Sequence, residues 1–235
     1  HRQSIADVVA LVERDVAKTR IGTNGVAQVD ARGVIAAAFD HWDSRENDPN
    51  LHTHVVVANR VQGPDGKWRT LDSRAMHRAA VAMSERYDGV LADHITARLG
   101  LGWEYRERGP GRNPAYGLAA VPRELVEDFS RRSKAIDAET DRLIDAYTQA
   151  HGRRPNPATV LQLRQQATLA TRDTKVVHSL EDLTEQWHTR AAEVLGTDPA
   201  VWVAEALSAT RTLDVDTPAR QAVIEMGIVR RRKID

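Results

Sequence analysis

The sequence predicts an α+β protein: an antiparallel β-sheet covered by helices, followed by a mainly helical region. Three observations predict it. Between positions 26 and 71, short Val- and Ala-rich runs alternate with turn chemistry, as hairpin-paired strands do. Segments before and after this stretch carry apolar residues at helical spacing. Beyond Pro122 the strand signals stop, and helical stripes follow one another to about position 212.

Taken in order, Ser4 to Arg20 reads as the first helix. Ser4 can cap it, Asp7 sits three positions on, and Ile5, Val8, Val9, Val12 and Val16 form the apolar stripe. "GVAQV" and "GVIAAAFDH" read as strands, and "LHTHVVVAN" as the next. The chain turns through Pro64-Asp65-Gly66 into "KWRTLD", a hairpin signal. Ser73 then caps a long helix whose stripe is Met76, Ala80, Met83, Tyr87, Val90, Leu91, Ile95 and Leu99, stopped by Gly100. "WEYRER" and "AYGLAAV" make a further strand pair around Gly109-Pro110-Gly111. Pro122 opens a helix running to Gly152, with Leu125, Phe129, Ile136, Leu143 and Tyr147 inward. "GRRPNP" breaks it. Two more helices are expected, one from about Ala158 and one capped by Ser179 and ended at Gly196. The expected division is 1–121, 122–212, and an extension or linker at 213–235 whose only pattern is a "DTPARQAVIEMG" helix.

Composition narrows the function classes. Lys plus Arg and Asp plus Glu are 33 each, so the net charge is zero and the chain is no duplex-coating basic protein. DNA affinity would have to come from local clusters. The candidates are Arg106, Arg108 and Arg112, the "SRRSK" run at 130–134, Arg153 and Arg154, Arg172 and Lys175, and "RRRK" at 230–233. Each competes with the simpler reading of a solvated helix face or loop. Cysteine is absent, which excludes disulfides and thiolate zinc sites. No apolar run is long enough to span a bilayer.

The chemistry concentrates at "FDHWDSRENDPNLHTHVVVANR", positions 39–60, which holds three of the nine histidines. Side chains alternate along a strand, so His52 and His54 share a face. His41 ends the preceding strand, and "WDSRENDPN" between them is loop chemistry. If the two strands pair antiparallel, His41 lies beside His52 and His54, within reach of one ion. Three imidazoles suit Zn, Mn, Ni, Cu or Fe, with Mg as a harder alternative, and leave open coordination positions as catalytic sites do. The competing reading is a chance H-x-H on a packed or surface strand.

The string H-x-x-S-R-x-x-D-P-x-L-H-T-H-V-V-V-A-N, spelled by His41 to Asn59, resembles the metal-site motif of the TrwC/TraI-type (MobF) conjugative relaxases, members of the HUH endonucleases. "PDGKWRTLDSR" at 64–74, "YDGVLADHITARLGLGWEYRERG" at 87–109, "AVPRELVEDFSRR" at 120–132, "ATRDTK" and the L-x-x-x-W at 183–187 resemble later segments of the same family, in the same order. The resemblance spans about residues 1 to 200. It implies that residues 1–121 are the metal-bearing part of the HUH palm and 122–212 the fingers. The implied reaction nicks and rejoins one DNA strand at an origin of transfer, through a tyrosine joined to the 5′-phosphate. By that resemblance His41, His52 and His54 hold one divalent ion, Mg, Mn, Zn or Ni, against the scissile phosphate. The implied partners are single-stranded or hairpin origin-of-transfer DNA and other transfer-complex proteins, and the implied location is the bacterial cytoplasm.

The family's nucleophilic tyrosines lie upstream of the histidine motif, and nothing in this chain matches that segment. Tyr87, Tyr105, Tyr116 and Tyr147 read as packing residues. The expectation is therefore a fragment with no catalytic residue of its own, inactive alone. For DNA contact the candidates are Arg45, Arg69, Arg131 and Arg132. Arg45 can instead pair with Asp43 or Asp48, and Arg69 can be a plain strand arginine. Trp68 and Trp103 can stack on bases or pack as core and lid. Asp48-Pro49 reads as a loop-shaping pair. Two alternatives stand beside the relaxase reading. One is a relaxase-derived module that grips DNA without chemistry. The other is an unrelated three-histidine enzyme of the cupin type, which would need more strand and a Glu shortly after the H-x-H.

Overall fold

The computed structural model describes residues 1–107, 114–172, 174 and 176–211. The Gly109-Pro110-Gly111 turn, Arg108, Arg112, Lys175, the 230–233 run and the expected helix after position 213 lie outside the described residues.

Helix α1 spans Arg2–Leu11 and runs on as a π-type turn through Val12–Val16. The chain then becomes strand β1 at Lys18–Ile21. The expected helix to Arg20 is thus too long, and Ser4 does not cap it but lies buried inside its first turns. Val16 fits the helical stripe and is buried. However, Ala17 already has extended backbone angles, and the next residues pair as strand.

Eight strands form four antiparallel ribbons among the described residues, rather than one continuous sheet. β1 pairs with β2 (Ala27–Asp30), β3 (Ala36–Asp43) with β4 (Pro49–Val57), β5 (Val61–Gln62) with β6 (Trp68–Arg69), and β7 (Trp103–Arg106) with β8 (Ala115–Leu118). The Pro64-Asp65-Gly66 turn closes β5–β6 as expected, with Gly66 at φ 78°. A single bridge, Thr19 to Leu71, ties β1 to the chain after β6. Ala17, Val61 and Leu71 form the buried centre here, with Ala31, Val34, Val57 and Met76 packed against them.

Helix α2 runs from Ser73 to Leu99 and ends on left-handed Gly100. Its N-cap is Asp72, one residue before the expected Ser73, and the Asp72 carboxylate accepts from the Arg74 amide. Gln28 and Arg20 donate to the same carboxylate, so the cap also anchors the β1–β2 ribbon. Those hydrogen bonds, Gln28's first, hold its pKa below the ordinary carboxylate range. Asp7 and Gln3 of α1 bind Arg86 and Arg98 of α2, clamping the two helices together.

The helix expected from Pro122 to Gly152 is two helices, α3 at Arg123–Asp128 and α4 at Arg131–His151. The apolar spacing runs through the break, so periodicity alone does not reveal it. α5 (Pro157–Ala170) and α6 (Leu180–Leu195) match expectation, including a capping box at Ser179 and left-handed Gly196. α7 (Pro199–Arg211) is a further helix beyond the two expected. Thr140, Ile144, Ala167, Leu183 and Ala191 are buried among these helices.

Leu183 is 2% exposed at the centre of this helical core. Leu183→Ala is expected to cost about 2–4 kcal/mol through lost burial and the cavity left behind. Urea unfolding of the two proteins measures it, and a cost under about 1 kcal/mol would mean that the site collapses freely.

Candidate metal centre

The β3–β4 register places His41 directly opposite His52, and Phe39 opposite His54. His41 is therefore one step across and one step diagonal from the two histidines of β4. Ring centroids lie 5.3 Å apart for His41–His52, 4.7 Å for His41–His54 and 5.0 Å for His52–His54. One ring nitrogen from each can be chosen so that all three lie within 4.8 Å of one another. The rings stand edge-on to each other and converge on one spot. His41 and His54 are exposed and His52 is half-buried.

Two local features hold this geometry. His52 Nδ1 lies 2.7 Å from the Asn50 carbonyl, to which it donates. Nε2 then carries the lone pair and is the ring atom left to accept or to coordinate. Behind the sheet, Thr53 donates to Asp40, and its oxygen lies 2.7 Å from His1 Nε2. The Thr53 proton is spent on Asp40, so His1 Nε2 is the donor and His1 Nδ1 accepts from the Tyr87 hydroxyl. A directed chain thus runs from Tyr87 of α2 through His1, just ahead of α1, to Thr53 between the two histidines of β4. The Asp40 carboxyl is held below its usual range by Thr53 and then by Arg2.

The turn between the strands is closed by the Ser44 amide on the Asp48 carbonyl, 2.8 Å, and by Asn47 in left-handed conformation at φ 57°. Arg45 stands half-buried in this turn, beside the triad's strands. Asp48 is 2% exposed. Its carboxylate accepts from the Arg131 amide, Arg131 Nε and Arg190 Nη1, each at 2.9 Å. So the residue expected to shape the loop also caps α4 and binds α6. Arg190 also holds Asp128 and lies over the Phe129 ring, 4.4 Å from its centroid. Burial works against its charge, but the hydrogen bonds it donates to Asp48 and Asp128, with their negative charges, outweigh it and raise its pKa. Arg190 and Trp187 lie outside the site residues that the sequence pattern points to. They lie three apart on α6, so one face carries both to this turn. That spacing was the available signal.

The other arginines singled out from the sequence are placed as follows. Arg131 joins the turn through Asp48 and the Glu46 carbonyl. Arg132 faces away to α5, donating to the Thr168 and Thr171 carbonyls and the Thr171 hydroxyl. Arg69 forks onto Asp65 in the β5–β6 hairpin and drives that carboxyl's pKa well down. Trp103 Nε1 donates to Thr96 and so packs on α2, whereas Trp68 is 55% exposed. Each described tyrosine has a local aromatic partner: Tyr87 meets His1, Tyr105 meets Tyr116, and Tyr147 stacks on His151.

An antiparallel ribbon presenting three convergent imidazoles on an open face defines a class of site: a three-histidine centre that can take a divalent ion and still leave it accessible to a substrate oxygen. The TrwC relaxase family model matches residues 1–194, and the chain belongs to that family. Over 146 residues it is 35% identical to the multifunctional conjugation protein TraI of Escherichia coli, and 33% identical to TraI of E. coli strain K12. Each match covers 58% of this chain and 8% of the relative. The structure is similar to conjugative relaxase TrwC in a copper-bound complex with oriT DNA, with TM-score 0.65 and 29% identity. That match covers 84% of this chain and 62% of the other. TrwC bound to a 27-mer DNA comprising the recognition hairpin and the cleavage site matches with TM-score 0.63 and 28% identity, over 84% and 65% of the two chains. Among the described residues no helix is long and apolar enough to cross a membrane.

Arg132 stitches the first turn of α4 to the last turn of α5. Arg132→Ala is expected to lower stability by about 1–2 kcal/mol, since two carbonyls and a hydroxyl lose a charged donor. Urea unfolding checks it. An unchanged midpoint would show that these contacts are not formed in solution.

Proposed function

We propose that this chain is the metal-bearing part of a conjugative relaxase that nicks and rejoins single-stranded DNA at an origin of transfer. The reading joins the proposed palm at 1–121 to the proposed fingers at 122–212, with 213–235 as an extension or linker. The observation that carries it is the convergence of His41, His52 and His54 on one open face, in a chain of the TrwC relaxase family.

The donor set fits one divalent ion. Three neutral imidazoles favour Zn, Ni or Cu over Mg, with Mn between. A bound ion would polarise a scissile phosphoryl oxygen and neutralise charge growing on it. The chain's own part is to hold the three rings. The ribbon register sets their separation, and the Asn50 carbonyl fixes the His52 tautomer. On this reading the nucleophile is a tyrosine outside this chain; within it, the Tyr87 hydroxyl is taken by His1, Tyr105 and Tyr116 meet edge-on, and Tyr147 stacks on His151. Arg45 is the phosphate contact nearest the triad in sequence. Arg69, Arg131 and Arg132 can reach DNA only through N–H groups not already used, as a guanidinium carries five.

The chain should bind one divalent transition ion, and His52→Ala or His54→Ala should abolish that binding. Calorimetric titration with Ni2+ reads this directly, and a double variant with the parent's affinity rejects the site. The longer protein that contains this chain should form a denaturation-resistant adduct on single-stranded DNA bearing its origin. The same His→Ala variants should remove that adduct. A chain that binds the DNA tightly yet forms no adduct in its longer form would establish the non-catalytic module instead.

A further inference from the structure

The turn between the two histidine strands is gripped at three consecutive residues by the helices of the second region. Arg131 Nη2 donates to the Glu46 carbonyl at 2.7 Å, and Trp187 Nε1 donates to the Asn47 carbonyl at 2.7 Å. Asp48 takes the Arg131 amide and both guanidinium groups. The turn is short, and each end leads straight into a ligand strand. Asp43, two residues after His41, pairs with Pro49, three residues before His52. The register shifts between His41 and Asp43, so the ribbon's regular ladder stops at the triad. Past that point, the turn and whatever holds it decide where the strand ends lie.

Of these three residues, Asp48 is gripped through its charged side chain. The others lend carbonyl oxygens, which any residue would supply. Its carboxylate is nearly fully buried, and a buried carboxylate without cationic partners would be driven out of place. The same oxygens stand where the N-terminus of α4 presents a free amide and a positive dipole end. A displacement of α4 or α6 therefore leaves Asp48 uncompensated. A displacement of the turn leaves Arg131, Arg190 and the α4 terminus uncompensated.

We propose that Asp48 is a positioning residue for the metal centre. It transmits the docking of α4 and α6 to the two strands that carry His41, His52 and His54, so that metal binding and helical docking are thermodynamically linked. The proposal rests on the reading of these histidines as ligands. Linkage is reciprocal: what docking does for metal affinity, the metal does for docking.

The test uses the full chain and two readouts. Ni2+ affinity is measured by calorimetry for the parent, Asp48→Asn, Asp48→Ala and Arg190→Gln. Arg132→Ala serves as the control, because it loosens α4 from α5 without touching the turn. Amide hydrogen exchange is followed in the same proteins with and without Ni2+. Asp48→Asn keeps the shape and loses the charge, so it remains informative where Asp48→Ala fails to fold. The expected result is a loss of Ni2+ affinity of about fivefold or more for the Asp48 and Arg190 variants, and little change for Arg132→Ala. In the metal-free chain, Asp48→Asn should speed exchange together in the first turn of α4 and at positions 52–56. Ni2+ should slow exchange at both places in the parent. Equal losses of affinity in Arg132→Ala would overturn the proposal, since general loosening would then explain them. So would faster exchange in α4 with the ribbon and Ni2+ affinity unchanged. If the parent binds no Ni2+, the ligand reading falls by itself. The metal-free exchange pattern then decides the positioning role: joint loosening supports it, and loosening of the helix alone rejects it.

Discussion

The buried carboxylate of Asp48 is the interaction on which the rest depends. Taking a carboxylate out of water is costly unless nearly every lone pair finds a donor and the charge finds a partner. Here one backbone amide and two guanidinium groups meet it, and they come from positions far apart in the chain. Sharing one carboxylate between Arg131 and Arg190 forces α4 and α6 to approach the same point. Arg190 continues to Asp128 at the end of α3, so three helices are organised around a single turn of the ribbon. The helix break at Phe129 and Ser130 makes sense in this light. An unbroken helix would have no free amide at Arg131 to offer.

A two-stranded ribbon is only marginally stable by itself in water. The β3–β4 ribbon leaves Phe39 and Val56 54% and 59% exposed on the face that carries the histidines, so burial on that side does little to hold it. Its order comes from its end and its back. The end is the turn that Asp48 fixes. The back is the chain from Tyr87 through His1 and Thr53 to Asp40, which reaches between the two histidines of β4. The face is thus left free for a ligand and the scaffolding lies elsewhere, the arrangement that a site open to a large substrate requires.

How much of this could be read from the sequence follows from the range of the contacts. The triad was legible because it depends on local rules only: alternation along a strand, and a turn-rich loop that returns the chain antiparallel. The caps at Ser179, Gly100, Gly152 and Gly196 were legible for the same reason. The end of α1 was not. Val16 satisfies the helical stripe, and only the pairing of Lys18–Ile21 with Ala27–Asp30 pulls the next residues into a strand. The role of Asp48 was half legible. Its turn chemistry was visible, but its partners lie 83 and 142 positions away and no local pattern announces them. The basic run at 130–134 shows the converse. Local charge suggested a solvent- or DNA-facing cluster, whereas tertiary contacts give Arg131 and Arg132 acceptors within the protein.

That last point reaches the chain's electrostatics. With 33 cationic and 33 anionic side chains, a cation is a potential phosphate contact only where an internal acceptor has not claimed it. Many are claimed: Arg2 by Asp40, Arg20 by Asp72, Arg69 by Asp65, Arg86 by Asp7, Arg164 by Asp137 and Arg190 by Asp48 and Asp128. Paired charges project little field beyond a Debye length of roughly 8 Å at physiological salt. Each such pair lowers the attraction for an arbitrary stretch of phosphate backbone. On the proposed reading, such a protein would discriminate by fit at one place, the open face of the three imidazoles. Internal charge pairing is therefore part of the same design as the Asp48 clamp. On the proposed reading, Arg131 and Arg190 hold the site's shape, and a ligand would be recognised by that shape.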